Sequence, residues 1–149
     1  MSLIPYGKHF INKEDISSVT KALKAKYITK GNYNKNFTNS LKNYFKCNYL
    51  QLCSSATSGL HLAFLSIGLK KNDNVIMPAI NFIASYSMAK QMGANIYLAD
   101  VNPETGQMTE KNVLECIKKN KLKKIKCFIS MYLGGSPERN IELFKLKKK

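Results

Sequence analysis

Between positions 12 and 26 the apolar residues Ile16, Val19 and Leu23 recur at intervals of three and four, which places them on one face of a helix. Asn12 stands ahead of this run as a cap, and Glu14 and Asp15 put negative charge into the first turn. A second segment, NKNFTNSLKNYF, carries Phe37, Leu41, Tyr44 and Phe45 in the same rhythm. Between the two lies YITKGNY, where Gly31 breaks the period. The rhythm then changes. Four short runs rich in apolar and β-branched residues, YLQLC (49–53), NVIMP (74–78), NIYLAD (95–100) and KIKCFISM (124–131), predict strands. Each is followed by a helical segment, at 56–67, 82–92, 109–119 and about 138–149, with Gly68 and Gly93 placed as helix stops. Strand and helix alternating in this way predict an α/β chain: a largely parallel sheet with helices on both faces.

Length adds that the whole chain, 1–149, is expected to form a single unit with a real core rather than two independent domains. The opening MSLIPYGKHF lacks the apolar run of a signal peptide, and no stretch approaches the roughly 20 apolar residues of a membrane span, so a cytoplasmic protein is expected. The last segment, PERNIELFKLKKK, starts a good helix and stops without a cap or a following strand. An alternating chain should continue into another strand there, so the pattern predicts a chain cut short, and its lysine-coding run is a natural place for a frameshift. The nucleotides just downstream test this: a continuing strand encoded in some frame is the expected finding.

Cys47, Cys53, Cys116 and Cys127 are widely spaced with no CxxC pair, which points to reduced residues rather than a metal site or a disulfide scaffold. The net charge of +15 is almost wholly lysine, with one arginine, Arg139. Apart from KKNKLKK (118–124) and the terminal KLKKK, the lysines are scattered along the sequence. Specific nucleic-acid readers use arginine forks and interleaved aromatic platforms, which are missing here. Compositional bias with solvated helix faces is the preferred reading, and neither a nucleic acid nor a membrane is expected as a partner. A basic surface still draws in anionic ligands such as nucleotide phosphates.

The segment CSSATSG (53–59) sits where the first predicted strand meets a helix. In parallel α/β sheets, ligands bind beyond the strand carboxyl ends, where helix N-termini offer free N–H groups and a positive dipole end. Small side chains let a phosphate approach the backbone, and the Ser55 and Thr57 hydroxyls can add hydrogen bonds. The same residues also suit a plain helix cap, and the segment alone leaves both readings open.

IPYGKHFINKEDISSVTKAL, YITKG, SSATSGLHLAFLSIGL, VIMPAINFIAS, GANIYLADVNPETGQMT and MYLGGSPE occur in an order and spacing that resemble the DegT/StrS-type nucleotide-sugar aminotransferases. That family comprises pyridoxal-phosphate enzymes of the aspartate-aminotransferase-like fold. The resemblance runs through essentially the whole chain and implies an incomplete large domain of a fold-type-I enzyme, about the first two fifths of such a protein. It implies that Ser55, Ala56 and Thr57 belong to the cup for the cofactor phosphate, and that Phe82 is the aromatic that stacks on the pyridine ring. Without it, Phe82 would read as a core aromatic after a strand. Tyr6 in IPYG, and Tyr27, Thr29 and Gly31 in YITKG, match segments that line the sugar-nucleotide pocket; by themselves they read as ordinary turns. Asp100 resembles a residue with a structural role, and His61 is expected to be packed.

The resemblance also implies what is missing. Such an enzyme needs a lysine that forms a Schiff base with the cofactor and an aspartate that keeps the pyridine nitrogen protonated. Both are expected beyond Lys149, so no catalytic residue and no metal ligand is assigned within this chain. The implied activity is transfer of an amino group from a donor such as glutamate to a keto nucleotide-sugar, in glycan, lipopolysaccharide or flagellin-sugar synthesis, by a homodimer. The alternative is a non-catalytic truncated α/β module that binds a phosphate ligand or a partner chain.

Overall fold

Helix α1, Lys13–Leu23, starts where the sequence supplies a reciprocal cap: Asn12 Oδ1 accepts the Asp15 N–H at 3.0 Å and Asp15 Oδ2 accepts the Asn12 N–H at 2.9 Å. In the computed structural model, which describes residues 4–5, 7–135 and 141–146, contacts divide the chain into two units, Met1–Leu52 and Cys53–Lys149. The division falls inside the run 49–53, whereas the sequence pattern suggested a single unit. The first unit holds α1 and α2, Asn32–Phe45. Gly31, expected to break the helical period and, by the resemblance, to line a sugar-nucleotide pocket, is the N-cap of α2, and Lys46 ends that helix in the left-handed conformation. Neither helix buries a residue: Ile16, Val19, Leu23, Phe37, Tyr44 and Phe45 all stay exposed.

The expected strand at 49–53 is absent. Tyr49 is 92% exposed, and among the described residues no segment pairs with this run. Apolar and β-branched content gives a segment strand propensity, but a strand also requires a hydrogen-bonded neighbour. The other three expected strands form. They are β1, Asn74–Pro78, β2, Asn95–Ala99, and β3, Cys127–Phe128, in a parallel sheet of order β2-β1-β3. β3 is shorter than its apolar run, although Lys126 N–H to Asn74 O and Ile129 N–H to Ile76 O, both 2.9 Å, extend the pairing at each end.

The second unit's helices are α3, Ala56–Ser66, α4, Ile83–Gln91, α5, Glu110–Lys119, and α6, Ile141–Lys145. Alternation along β1 assigns them to opposite faces. Val75 and Met77 pack with Phe64, Leu69, Ala89 and Ala94, from α3, α4 and the turns that follow them. Ile76 packs with Ala99, Met108, Val113, Cys116 and Leu143, toward α5 and α6. The α/β class with helices on both sheet faces is therefore present. Gly93 ends α4 with φ +78°, and a Cβ there would lie 3.1 Å from Lys71 Cγ, so both backbone conformation and space call for glycine. Within the described residues, no helix is long and apolar enough to cross a membrane.

Candidate functional site

α4 follows β1 and so starts at its carboxyl end. Gly68, just past α3, lies at the amino end, where a Cβ on it would stand 3.9 Å from Lys126 Nζ, so α3 starts toward the carboxyl end as well. α4 leaves that end on one face of the sheet while α5, after β2, packs on the other. Strand ends where connections diverge in this way open the crevice in which α/β sheets hold ligands.

Ser55 occupies the N-cap of α3 with extended backbone, and its Oγ accepts the Ser58 N–H at 3.2 Å and lies 3.1 Å from Ser58 Oγ. Its carbonyl accepts the Gly59 N–H at 3.0 Å. The capping reading of the hydroxyl cluster thus holds for Ser55. Helix geometry leaves the Ala56 and Thr57 N–H groups without an intrahelical acceptor. Ser54, Ser55 and Ala56 are exposed and Thr57 is half-buried, so among the described residues no large side chain covers this helix start. A Cβ at Gly59 would lie 3.3 Å from Cys53 Sγ, which sets the exposed Cys53 thiol against the first turn.

Phe82 lies past the end of β1 as the N-cap residue of α4, where it makes no side-chain cap. At 69% exposure its ring is not a core aromatic and is free to take a partner. One residue earlier, Asn81 carries a side-chain Nδ2 that is buried without a hydrogen-bond partner among the described residues. A buried donor left unmet costs about 1–3 kcal/mol, which marks this turn as short of a partner. Sequence reasoning passed over Asn81; the available signal was one amide in the otherwise apolar run PAINFIA.

In the other unit, Tyr27 and Gly31 are brought together. A Cβ on Gly31 would lie 2.6 Å from the Tyr27 carbonyl oxygen, and Lys26 Nζ stands 5.4 Å from the centroid of the exposed Tyr27 ring. Thr29 is exposed on the same turn, and Tyr6 falls outside the described residues. Asp100 accepts the Val101 N–H at 2.8 Å, a local turn contact, and His61 is half-buried on α3. A separate cleft of about 550 Å³ runs between β2 and α5, lined by Leu98, Asp100, Glu115, Cys116 and Lys119 among others. It includes none of Ser55, Thr57 or Phe82. Among the described residues, no cluster of His, Cys, Asp and Glu could hold a metal ion.

A parallel sheet of order β2-β1-β3 with helices packed on both faces defines an α/β protein. The chain belongs to the DegT/DnrJ/EryC1/StrS aminotransferase family, whose sequence profile matches residues 9–145. It is 33% identical over 149 residues to GDP-perosamine synthase of Escherichia coli O157:H7, covering 97% of this chain and 40% of that protein. Spr1654 of Streptococcus pneumoniae, named as a sugar aminotransferase, is 26% identical in its PMP-form with a TM-score of 0.82, over 95% of this chain and 35% of that one. The same protein is also known in a PLP-form, at 27% identity, with a TM-score of 0.71 over 76% of this chain and 29% of that one. Helicobacter pylori PseC, an aminotransferase of pseudoaminic acid biosynthesis, shares the fold at 22% identity and a TM-score of 0.85, over 97% of this chain and 38% of its own. The chain thus spans two fifths or less of these relatives.

Proposed function

We propose that this chain supplies the cofactor-holding part of a pyridoxal 5'-phosphate site in an enzyme that transfers an amino group from an amino-acid donor such as glutamate to a keto nucleotide-sugar. The observation that carries the reading is the placement of the α3 start and Phe82 at the same edge of the sheet. The residues fit the group: helix geometry leaves first-turn N–H donors without intrahelical acceptors, Ser54, Ser55 and Ala56 are exposed, the Phe82 ring is exposed, and among the described residues the Asn81 amide has no partner. When bound, the cofactor supplies an electron sink for a carbanion.

The chain's own residues would bind and orient it. The Ala56 and Thr57 N–H groups and the Ser55 and Thr57 hydroxyls would hold the phosphate at the positive end of α3, equivalent to roughly half a unit charge. Phe82 would fix the ring plane from one side, an aromatic contact of about 0.5–1.5 kcal/mol beyond its area. Tyr6, Tyr27, Thr29 and Gly31 are proposed to line the sugar-nucleotide pocket, and a homodimer is proposed as the working assembly.

A specific observation supports a non-catalytic binding role for the chain taken by itself. In the second unit, nine of the eleven described lysines lie at or next to the segments that enter the strands, at the other edge of the sheet, and the remaining two, Lys111 and Lys145, are paired with Glu115 and Glu142. The residues proposed for this site would hold a phosphate and a ring, while amino-group transfer also needs a lysine that forms a Schiff base with the cofactor, and none is assigned among them.

Equilibrium dialysis of the 149-residue chain against pyridoxal 5'-phosphate tests the cup. Saturable binding, competed by inorganic phosphate and weakened about tenfold by Thr57→Val or Phe82→Ala, is the expected outcome, each change removing about 1–1.5 kcal/mol. Binding that ignores both substitutions would sink the assignment.

A further inference from the structure

Lysines that are scattered in the sequence are gathered by the fold. With β1, β2 and β3 parallel, the segments that lead into them all lie at one edge of the sheet, opposite the candidate site. Lys70 and Lys71 lie between α3 and β1, Lys90 is in the last turn of α4, and six more lysines lie between positions 118 and 126. All nine are exposed. In the segments 67–73, 92–94 and 120–126 the one acidic residue is Asp73, whose carboxylate accepts the Lys70 N–H at 2.9 Å. The other edge of the sheet carries Asp100, Glu104 and Glu110 instead.

The gathering is structurally fixed. Asn72 N–H donates to Gly93 O and Asn95 N–H to Asp73 O, both at 2.9 Å, while Asn74 Nδ2 donates to Lys124 O at 2.8 Å. These bonds tie the three entry segments into one frame. Helix dipoles attract cations to the last turns, which accounts for Lys90, Lys118 and Lys119. They do not account for Lys70 or Lys71, nor for Lys121, Lys123, Lys124 and Lys126, which lie beyond the helix ends.

We propose, against the expectation from the sequence that no membrane is a partner, that this edge is a docking surface for an anionic lipid bilayer. Lysine ammonium groups act as point charges, which suits a diffuse sheet of headgroups; the guanidinium forks that select bases are missing from this edge. The entry segments contain no aromatic residue on which a nucleobase could stack. Ile67, 44% exposed just after α3, places an apolar side chain near Lys70 and Lys71 that can enter the headgroup layer. The inference is independent of the cofactor reading, since it uses the opposite edge of the sheet.

Sedimentation of the full chain with vesicles tests it. Binding is expected to phosphatidylcholine vesicles that contain phosphatidylglycerol, with little binding to phosphatidylcholine alone, and added salt should release it. Each lysine neutralised should cost about fivefold in partition, so Lys121→Gln, Lys123→Gln and Lys124→Gln together should cost on the order of 100-fold. Lys13→Gln, Lys21→Gln and Lys35→Gln, the same charge change in the other unit, should cost less than about threefold. If the first triple variant does not fold, the single variants at 123 and 124 provide the same reading. Equal loss in both triples, equal binding to both vesicles, or release by single-stranded RNA at matched phosphate concentration would each overturn the proposal, the last in favour of a nucleic acid.

Discussion

Gly31 shows how one residue's meaning depends on its surroundings. The sequence marks it as a break, but the position demands glycine because the Tyr27 carbonyl oxygen occupies the space of a side chain. Gly31→Ala should lower stability by about 1–3 kcal/mol, the usual scale for forcing atoms into filled space, read by urea unfolding. The cysteines separate similarly. Burial pushes the Cys116 thiol up from its ordinary value, opposed by the Asn120 hydrogen bond and Lys119. Burial also raises Cys127, with Asp73 adding to the effect and Lys126 opposing it. Unfolded thiols ionise near 9.0 while these two stay neutral in the fold, so they stabilise the protein below that pH and the contribution is lost as pH rises through the folded values. Thermal melts should fall above about pH 9 and fall less steeply in Cys127→Ala. Cys53, exposed against the first turn of α3, should react first with iodoacetamide, and pyridoxal 5'-phosphate should slow that reaction if the proposed cup is right.

At the scale of elements, local signals were the most legible. The Asn12 cap, the Gly68 and Gly93 stops and the strand runs at 74–78 and 95–100, the latter ending one residue earlier at Ala99, were all readable, because each depends on residues within a few positions of one another. Asn12→Ala should cost about 1 kcal/mol by removing the α1 cap, measurable as a lower denaturation midpoint. The run 49–53 was misread for the converse reason: its composition is strand-like, but a ladder is a relation between two segments. Phe82 could be read as core or as an open ring, and only its exposure decides between them.

For the whole molecule, the apolar faces of α1 and α2 matter most. These helices bury no residue, and such faces associate when nothing covers them. Sedimentation equilibrium should show concentration-dependent self-association, weakened by Ile16→Ser combined with Val19→Ser; a monomer at all concentrations would count against the homodimer proposal. The charge distribution also belongs to this scale. A net charge of +15 says only that cations are plentiful, whereas the strand order and direction collect nine of them at one edge.

The sequence by itself determined the local helices, their caps and stops, the α/β alternation and the motifs that resemble the family, since those are set by neighbouring residues and by spacing. Tertiary structure alone decided that Phe82 is open, that among the described residues the Asn81 amide is unmet and 49–53 has no ladder, and that scattered lysines form one edge. Each of those depends on which distant segments the parallel sheet brings side by side, a relation that no local window of sequence contains.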